Sequence, residues 1–153
     1  MVSMSADQVH VERVIEAPAP AIFSVIADAS RHQEIDGSGA VKGLKRPGEP
    51  LRLGSEFGMS MKLGLPYSTK NVVVEFEQDR RIAWKTTGLF GLIGGRIWRY
   101  ELEPAGDGAT LVRETWDVSQ DKQKFFLKKG SMPDNTGKAM TKTLKRLAEL
   151  LEG

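Results

Sequence analysis

Arg96-Ile97-Trp98-Arg99-Tyr100-Glu101-Leu102-Glu103 and, one turn later, Thr110-Leu111-Val112-Arg113-Glu114-Thr115-Trp116-Asp117-Val118 decide how this chain folds. In the first run Trp98, Tyr100 and Leu102 alternate with Arg99, Glu101 and Glu103. In the second, Val112, Glu114 and Trp116 alternate with Arg113, Thr115 and Asp117. Successive side chains of a strand point to opposite faces, so a period of two marks antiparallel sheet with one dry face and one wet face.

The same pattern extends outward. Residues 81–87 put Ile82 and Trp84 on one side, and residues 69–77 alternate Val72, Val74 and Phe76 with Val73, Glu75 and Glu77. Residues 54–63 place Ser55, Phe57, Met59 and Met61 on one face, and residues 40–45 form a strand ended by Arg46-Pro47-Gly48. With turn signals between them, these runs predict a six-strand meander. Upstream, Asp36-Gly37-Ser38-Gly39 breaks the chain. Before the break, Ile22, Phe23, Val25 and Ile26 give residues 21–28 the pattern of a short amphipathic helix. It follows Ala17-Pro18-Ala19-Pro20, where Pro is tolerated in a first helical turn. Ser30 is the expected cap of a second short turn running to Ile35. Residues 9–16 read as a first strand, which this helical excursion keeps from pairing with the next as a hairpin. Downstream, Ser131-Met132-Pro133-Asp134 starts a helix over 133–151, whose Met140, Leu144, Leu147 and Leu151 make one apolar stripe. Lys138, Lys142, Lys145 and Glu149 lie on its other faces. Gly137 weakens the first turn by roughly 1 kcal/mol relative to Ala, so fraying is expected there.

The architecture predicted is α+β: seven antiparallel strands curved around one long C-terminal helix, with two short helices between the first and second strands. A helix about 10–12 Å across is narrower than the concave face of such a sheet. The remaining space is the predicted cavity.

Composition sets the bounds. At 153 residues the chain suits one domain, taken as residues 8–153, with residues 1–7 a polar, disordered N-terminus. No apolar run approaches the roughly 18 residues of a membrane span, and the start lacks the features of a signal peptide. Cysteine is absent, which excludes disulfides, thiolate catalysis and Cys-based metal sites. The expected location is cytoplasmic. A net charge of +2 is too small to argue for nucleic acid. From residue 120 onward, however, eight Lys/Arg stand against four Asp/Glu. That excess reads as a solvated face or as a surface for transient contact with anionic lipid or an acidic partner.

The order of elements, Ala17-Pro18 with Phe23, Asp28-x-x-Arg31 and the terminal Leu144-Lys145-Arg146-Leu147-Ala148-Glu149-Leu150-Leu151 resemble the START-like, helix-grip superfamily. That superfamily includes Bet v 1 and the polyketide cyclase/dehydrase and lipid-transport group. The resemblance covers about residues 8–151 and implies binding of a hydrophobic ligand, in carriers and enzymes alike. Ile35 stands where many members carry Trp.

Several constellations bear on chemistry. His32-x-Glu34-x-Asp36 offers three metal-ligand types, but helical geometry puts them on different faces, and only His10 remains to complete a set, so the segment reads instead as a polar lid at the cavity rim. No metal or other cofactor is expected. Glu114 shares its face with Val112 and Trp116, where a carboxylate is costly unless paired or protonated. It is the candidate acid or base; the alternatives are pairing with Arg13 or Lys62, or a bulge that turns it outward. Arg13 raises the same question, since it shares a face with Val9, Val11 and Ile15. Gly88-Leu89-Phe90-Gly91-Leu92-Ile93-Gly94-Gly95 lacks the Lys and Ser/Thr of a phosphate loop, and suits a flap or a hairpin tip.

The expected ligand-lining set is Phe57, Met59, Met61, Val74, Trp84, Trp98, Tyr100, Val112, Glu114, Trp116, Met140 and Leu144. The expected function is sequestration or transfer of a small hydrophobic molecule such as a lipid or polyketide. The alternatives are a cyclase or dehydratase using a buried carboxylate, and an adaptor acting through the basic C-terminal region. Oligomeric state has no signature in the sequence.

Overall fold

The computed structural model describes residues 2–37, 41–44, 50–63, 65–88 and 93–152. Strands β1 (Val2–Met4), β2 (Gln8–Ile15), β3 (Val41–Leu44), β4 (Glu56–Leu63), β5 (Leu65–Glu77), β6 (Arg81–Gly88), β7 (Ile93–Pro104) and β8 (Thr110–Asp117) form one sheet. Its order is β1-β2-β8-β7-β6-β5-β4-β3, antiparallel at every step. The meander arises because a neighbour in sequence is the partner that closes the smallest loop. β2 is separated from β3 by helices α1 (Ala19–Ile26) and α2 (His32–Ile35), joined by a 3₁₀ turn at Ala29–Arg31. It therefore pairs with the last strand, Val11 opposite Glu114 and Val9 opposite Trp116. A short helix, α3 (Lys124–Leu127), and the long α4 (Met132–Glu152) end the chain.

All seven expected strands and the long helix are present, and four details differ. Residues 2–4 are not frayed: β1 adds an eighth strand at the edge, Val2 opposite Val11. The helical turn after α1 is capped by Asp28 rather than Ser30, the Asp28 carboxylate accepting from the Ser30 amide at 3.1 Å. Gly137 lies inside α4 and is buried, where an added Cβ would meet the Val2 side chain at 3.0 Å. Its missing side chain thus makes room for β1. The fourth detail changes which residues face inward. The β5–β6 register shifts between Val73 and Glu75, so Val74 is the extra residue of a bulge and turns out to solvent, 40% exposed. One inserted residue exchanges the two faces. Thr69, Asn71 and Val73 are buried before the bulge, and beyond it Phe76 packs edge-on to Phe23 at 5.6 Å.

On α4, Met140, Leu144, Leu147 and Ala148 are buried, while Lys138, Lys142, Lys145 and Glu149 are exposed. The helix packs chiefly on β2 and less on β8. Its far end is tied back by the Glu16 amide, which donates to the Glu152 carboxylate at 2.8 Å. On the outer face, Arg99 bridges Glu75 at 2.6 Å and Asp117 at 3.4 Å, so the wet side carries paired charge. Among the described residues no helix is long and apolar enough to cross a membrane.

Candidate functional site

Because α4 lies towards β2, the inner face of β4–β7 is not filled by it. That half holds a cavity of about 150 Å³. Phe57, Met59 and Met61 of β4, Thr69 and Asn71 of β5, and Trp84 and Thr86 of β6 form one side. Trp98 and Tyr100 of β7 and Glu114 of β8 continue the wall, and His32, Ile35 and Asp36 from α2 face Ala139, Met140 and Thr143 from α4 across the top.

The roof depends on one glycine. The Gly37 amide donates to the Thr143 hydroxyl at 2.9 Å, and that hydroxyl donates to the Ala139 carbonyl at 3.1 Å. Arg146 adds a bond to the Asp36 carbonyl. A Cβ at Gly37 would lie 2.2 Å from the Ala139 carbonyl oxygen and 2.7 Å from the Thr143 nitrogen. Both are helix backbone, which cannot rotate away. Gly37→Ala is therefore expected to push α2 off α4 and to cost at least about 1–3 kcal/mol in denaturant unfolding. The opposite sign, a gain of about 0.4–1 kcal/mol from a stiffer unfolded chain, would show that the roof does not close on this contact.

An aromatic cluster closes one end. Trp84 meets Phe57 at 5.6 Å and 76°, and Tyr100 at 5.7 Å. His32 stacks on Trp84 at 5.0 Å and 20°. Its Nε2 lies 2.8 Å from the Ile26 carbonyl. Burial holds the ring's pKa below its usual range, so it is neutral, with Nε2–H donating and Nδ1 left as an acceptor. Glu34 faces away and pairs with Arg31 at 2.9 Å. The three residues of the His32-x-Glu34-x-Asp36 motif are thus divided, two lining the cavity and one in solvent.

Glu114 is the chemical centre. It is buried and faces the cavity, and it is opposite Val11 and Tyr100 in the sheet. Arg13, one proposed partner, is opposite Val112 and exposed; the Lys62 side chain lies outside the described residues. Burial pushes the Glu114 carboxyl up to about 8, partly offset by the Tyr100 hydroxyl that donates to it, with Asp36 adding a further upward push. Its Oε1 is buried without a hydrogen-bond partner among the described residues. Tyr100 is raised well above the ordinary phenol, first by burial and then by the Glu114 carboxylate. A second polar group is better satisfied: the Thr86 hydroxyl donates to Asn71 Oδ1 at 2.7 Å, and Asn71 Nδ2 donates to the Phe57 carbonyl at 3.3 Å.

The expected residues Phe57, Met59, Met61, Trp84, Trp98, Tyr100, Glu114 and Met140 come together on this cavity. Val112, Trp116 and Leu144 instead belong to the packed core, and Val74 is outside. Sequence reasoning missed Thr69, Asn71, Thr86 and Thr143, whereas its reading of the His32 to Asp36 segment as a polar lid at the cavity rim agrees with His32 and Asp36 lining the cavity. Thr86 continues the Ile82, Trp84 alternation, and Thr143 lies three residues beyond Met140, so both had a signal. Thr69 and Asn71 were hidden by the bulge. Of the glycine-rich segment, residues 89–92 lie outside the described residues.

A profile of the family described as "Polyketide cyclase / dehydrase and lipid transport" matches residues 6–152. An uncharacterised protein of Mycobacterium tuberculosis is 38% identical over 111 residues, covering 71% of this chain and 47% of its own length. The chain thus spans about half the length of the curated relatives it matches. A crystal structure of a Chromobacterium violaceum protein superposes with a TM-score of 0.70 at 18% identity, covering 96% of this chain and 98% of that one. Ginseng major latex-like protein 151 from Panax ginseng does so with a TM-score of 0.70 at 14% identity, covering 95% and 97%.

Proposed function

This chain belongs to the polyketide cyclase/dehydrase and lipid transport family, and from that premise we propose that it binds a small hydrophobic molecule in the cavity, to sequester it or pass it on. The observation that carries this reading is about 150 Å³ of unfilled space among Phe57, Trp84, Trp98 and Met140. Protein interiors pack with few voids larger than a water molecule, and an empty one forfeits contacts. A cavity of this volume takes a ring-sized guest, which favours a compact molecule over a long acyl chain. Met59, Met61 and Met140 can re-pack around it. Glu114, protonated at neutral pH, offers its unpartnered Oε1 as a donor, so an uncharged ligand with a carbonyl or ether oxygen fits best.

Trp84 and Trp98 line the cavity and Trp116 does not, which makes the reading measurable. Aromatic ketones are expected to give a saturable change in tryptophan emission that persists in Trp116→Phe, and small polar metabolites none. Native mass spectrometry of the purified protein would add the mass of a retained ligand. If no member of a broad apolar panel perturbs Trp84 or Trp98, the binding reading fails.

One observation favours a second reading, a cyclase or dehydratase. A buried carboxyl near 8 beside a tyrosine hydroxyl is poised to give a proton to a leaving hydroxyl, or to take one from a carbon between two carbonyls. An adaptor role through the basic C-terminal region requires no cavity, and the unfilled space argues against it as the whole function.

A further inference from the structure

The segment between β8 and α4 exposes what a folded chain normally hides. Phe125 and Phe126 of α3 are 71% and 72% exposed, while the adjacent Leu127 is 2% exposed and anchors the turn in the core. One helical turn cannot point three consecutive side chains the same way, so burying Leu127 forces both phenylalanines outward. Cations gather beside them. The Lys124 and Lys128 ammonium groups lie 5.4 and 5.8 Å from the Phe125 ring centroid, and Lys122 and Lys129 are exposed on either side.

The nearby acids do little to offset this charge. Asp121 is buried and faces Arg96 at 3.3 Å, and Asp7 is occupied by Lys128 at 2.9 Å. Among the described residues no carboxylate pairs with Lys122, Lys124 or Lys129, which stand around two protruding aromatic rings. Lysine is depleted from the cores of protein–protein interfaces, whereas Phe with flanking Lys is the composition of segments that sit at the bilayer boundary. We infer that this segment docks on an anionic bilayer surface, Phe125 and Phe126 entering the headgroup region and Lys122, Lys124 and Lys129 meeting the lipid phosphates. The inference does not rest on what the cavity holds, although a bound apolar molecule would have a route to and from lipid.

Vesicle co-sedimentation tests it with the intact chain. Phosphatidylcholine vesicles containing phosphatidylglycerol are expected to bind the protein at low salt, and pure phosphatidylcholine vesicles to bind it at least about tenfold more weakly. Phe125→Ser with Phe126→Ser should weaken binding about tenfold, and Lys122→Gln, Lys124→Gln and Lys129→Gln together should do the same, as should raising the salt. The lysine variant keeps both rings and Lys128, so it guards against a folding defect in the serine variant, and coincident thermal melts would confirm both folds. No binding to phosphatidylglycerol vesicles overturns the proposal. So does binding that the serine variant leaves unchanged, or capture of the parent but of neither variant on an acidic peptide without binding to those vesicles, which would make the patch a protein contact.

Discussion

Glu114→Gln is expected to match the parent in stability near pH 4 and to exceed it by roughly 5 kcal/mol above pH 8, an effect set by the distance between 4.5 and about 8. Between those values the folded protein holds a proton on Glu114 that the unfolded chain has released. Folding then takes up a proton, and stability falls as pH rises, by up to about 1.4 kcal/mol per pH unit from this group. Its contribution is whole below the unfolded value and gone above the folded one. Gln keeps the shape and the Tyr100 contact but has no proton to lose, so its curve lacks this descending limb. His32 acts on the other side. Burial lowers its pKa, so the unfolded chain binds more protons below the usual histidine value near 6.5, and stability falls on acidification. That acid limb is common to both proteins and cancels in the difference. Urea unfolding from pH 4 to 9 measures the difference curve. Parallel curves would show that Glu114 is not ionising out of a buried site.

The placement of Glu114 also shows what was legible in the sequence. Alternation with Val112 and Trp116 put it on the dry face, and the order of elements gave the sheet, the excursion and the final helix. These rest on periodicity, which hydrophobic burial enforces along the whole strand. The failures have local causes. Val74 was assigned inward because period two was carried through a bulge that nothing in Val72-Val73-Val74 marks. Trp116 and Leu144 share faces with cavity residues, but where α4 lies across the sheet decides which part of a face is packed and which is open. That is a tertiary outcome of helix-on-β2 packing. Residues 2–4 carry too short a pattern to read, and they join the sheet because β2 offers an edge. The place of His32 in a lid at the cavity rim was legible, but its stacking on Trp84 as a neutral ring is settled only once α2 folds over the cavity.

The same variant separates a carrier from an enzyme. With a cyclisable poly-β-keto substrate, an enzyme using Glu114 is expected to lose about 10²- to 10⁴-fold in turnover on Glu114→Gln, the range for removal of a general acid or base. Saturable quenching of Trp84 and Trp98 should survive, because the cavity keeps its shape and the amide can still donate to a ligand oxygen. A carrier predicts a different result. Neither protein turns the substrate over, affinity is equal at neutral pH, and only the parent weakens above pH 8. There the ionised Glu114 loses its donor and places a charge against the bound oxygen. Turnover and the pH dependence of binding are separate readouts of one proton. Turnover that Glu114→Gln leaves intact would place any chemistry on other groups of the cavity. Binding that stays constant above pH 8 in both proteins would mean that the ligand is held without Glu114, by the aromatic wall and the methionines alone.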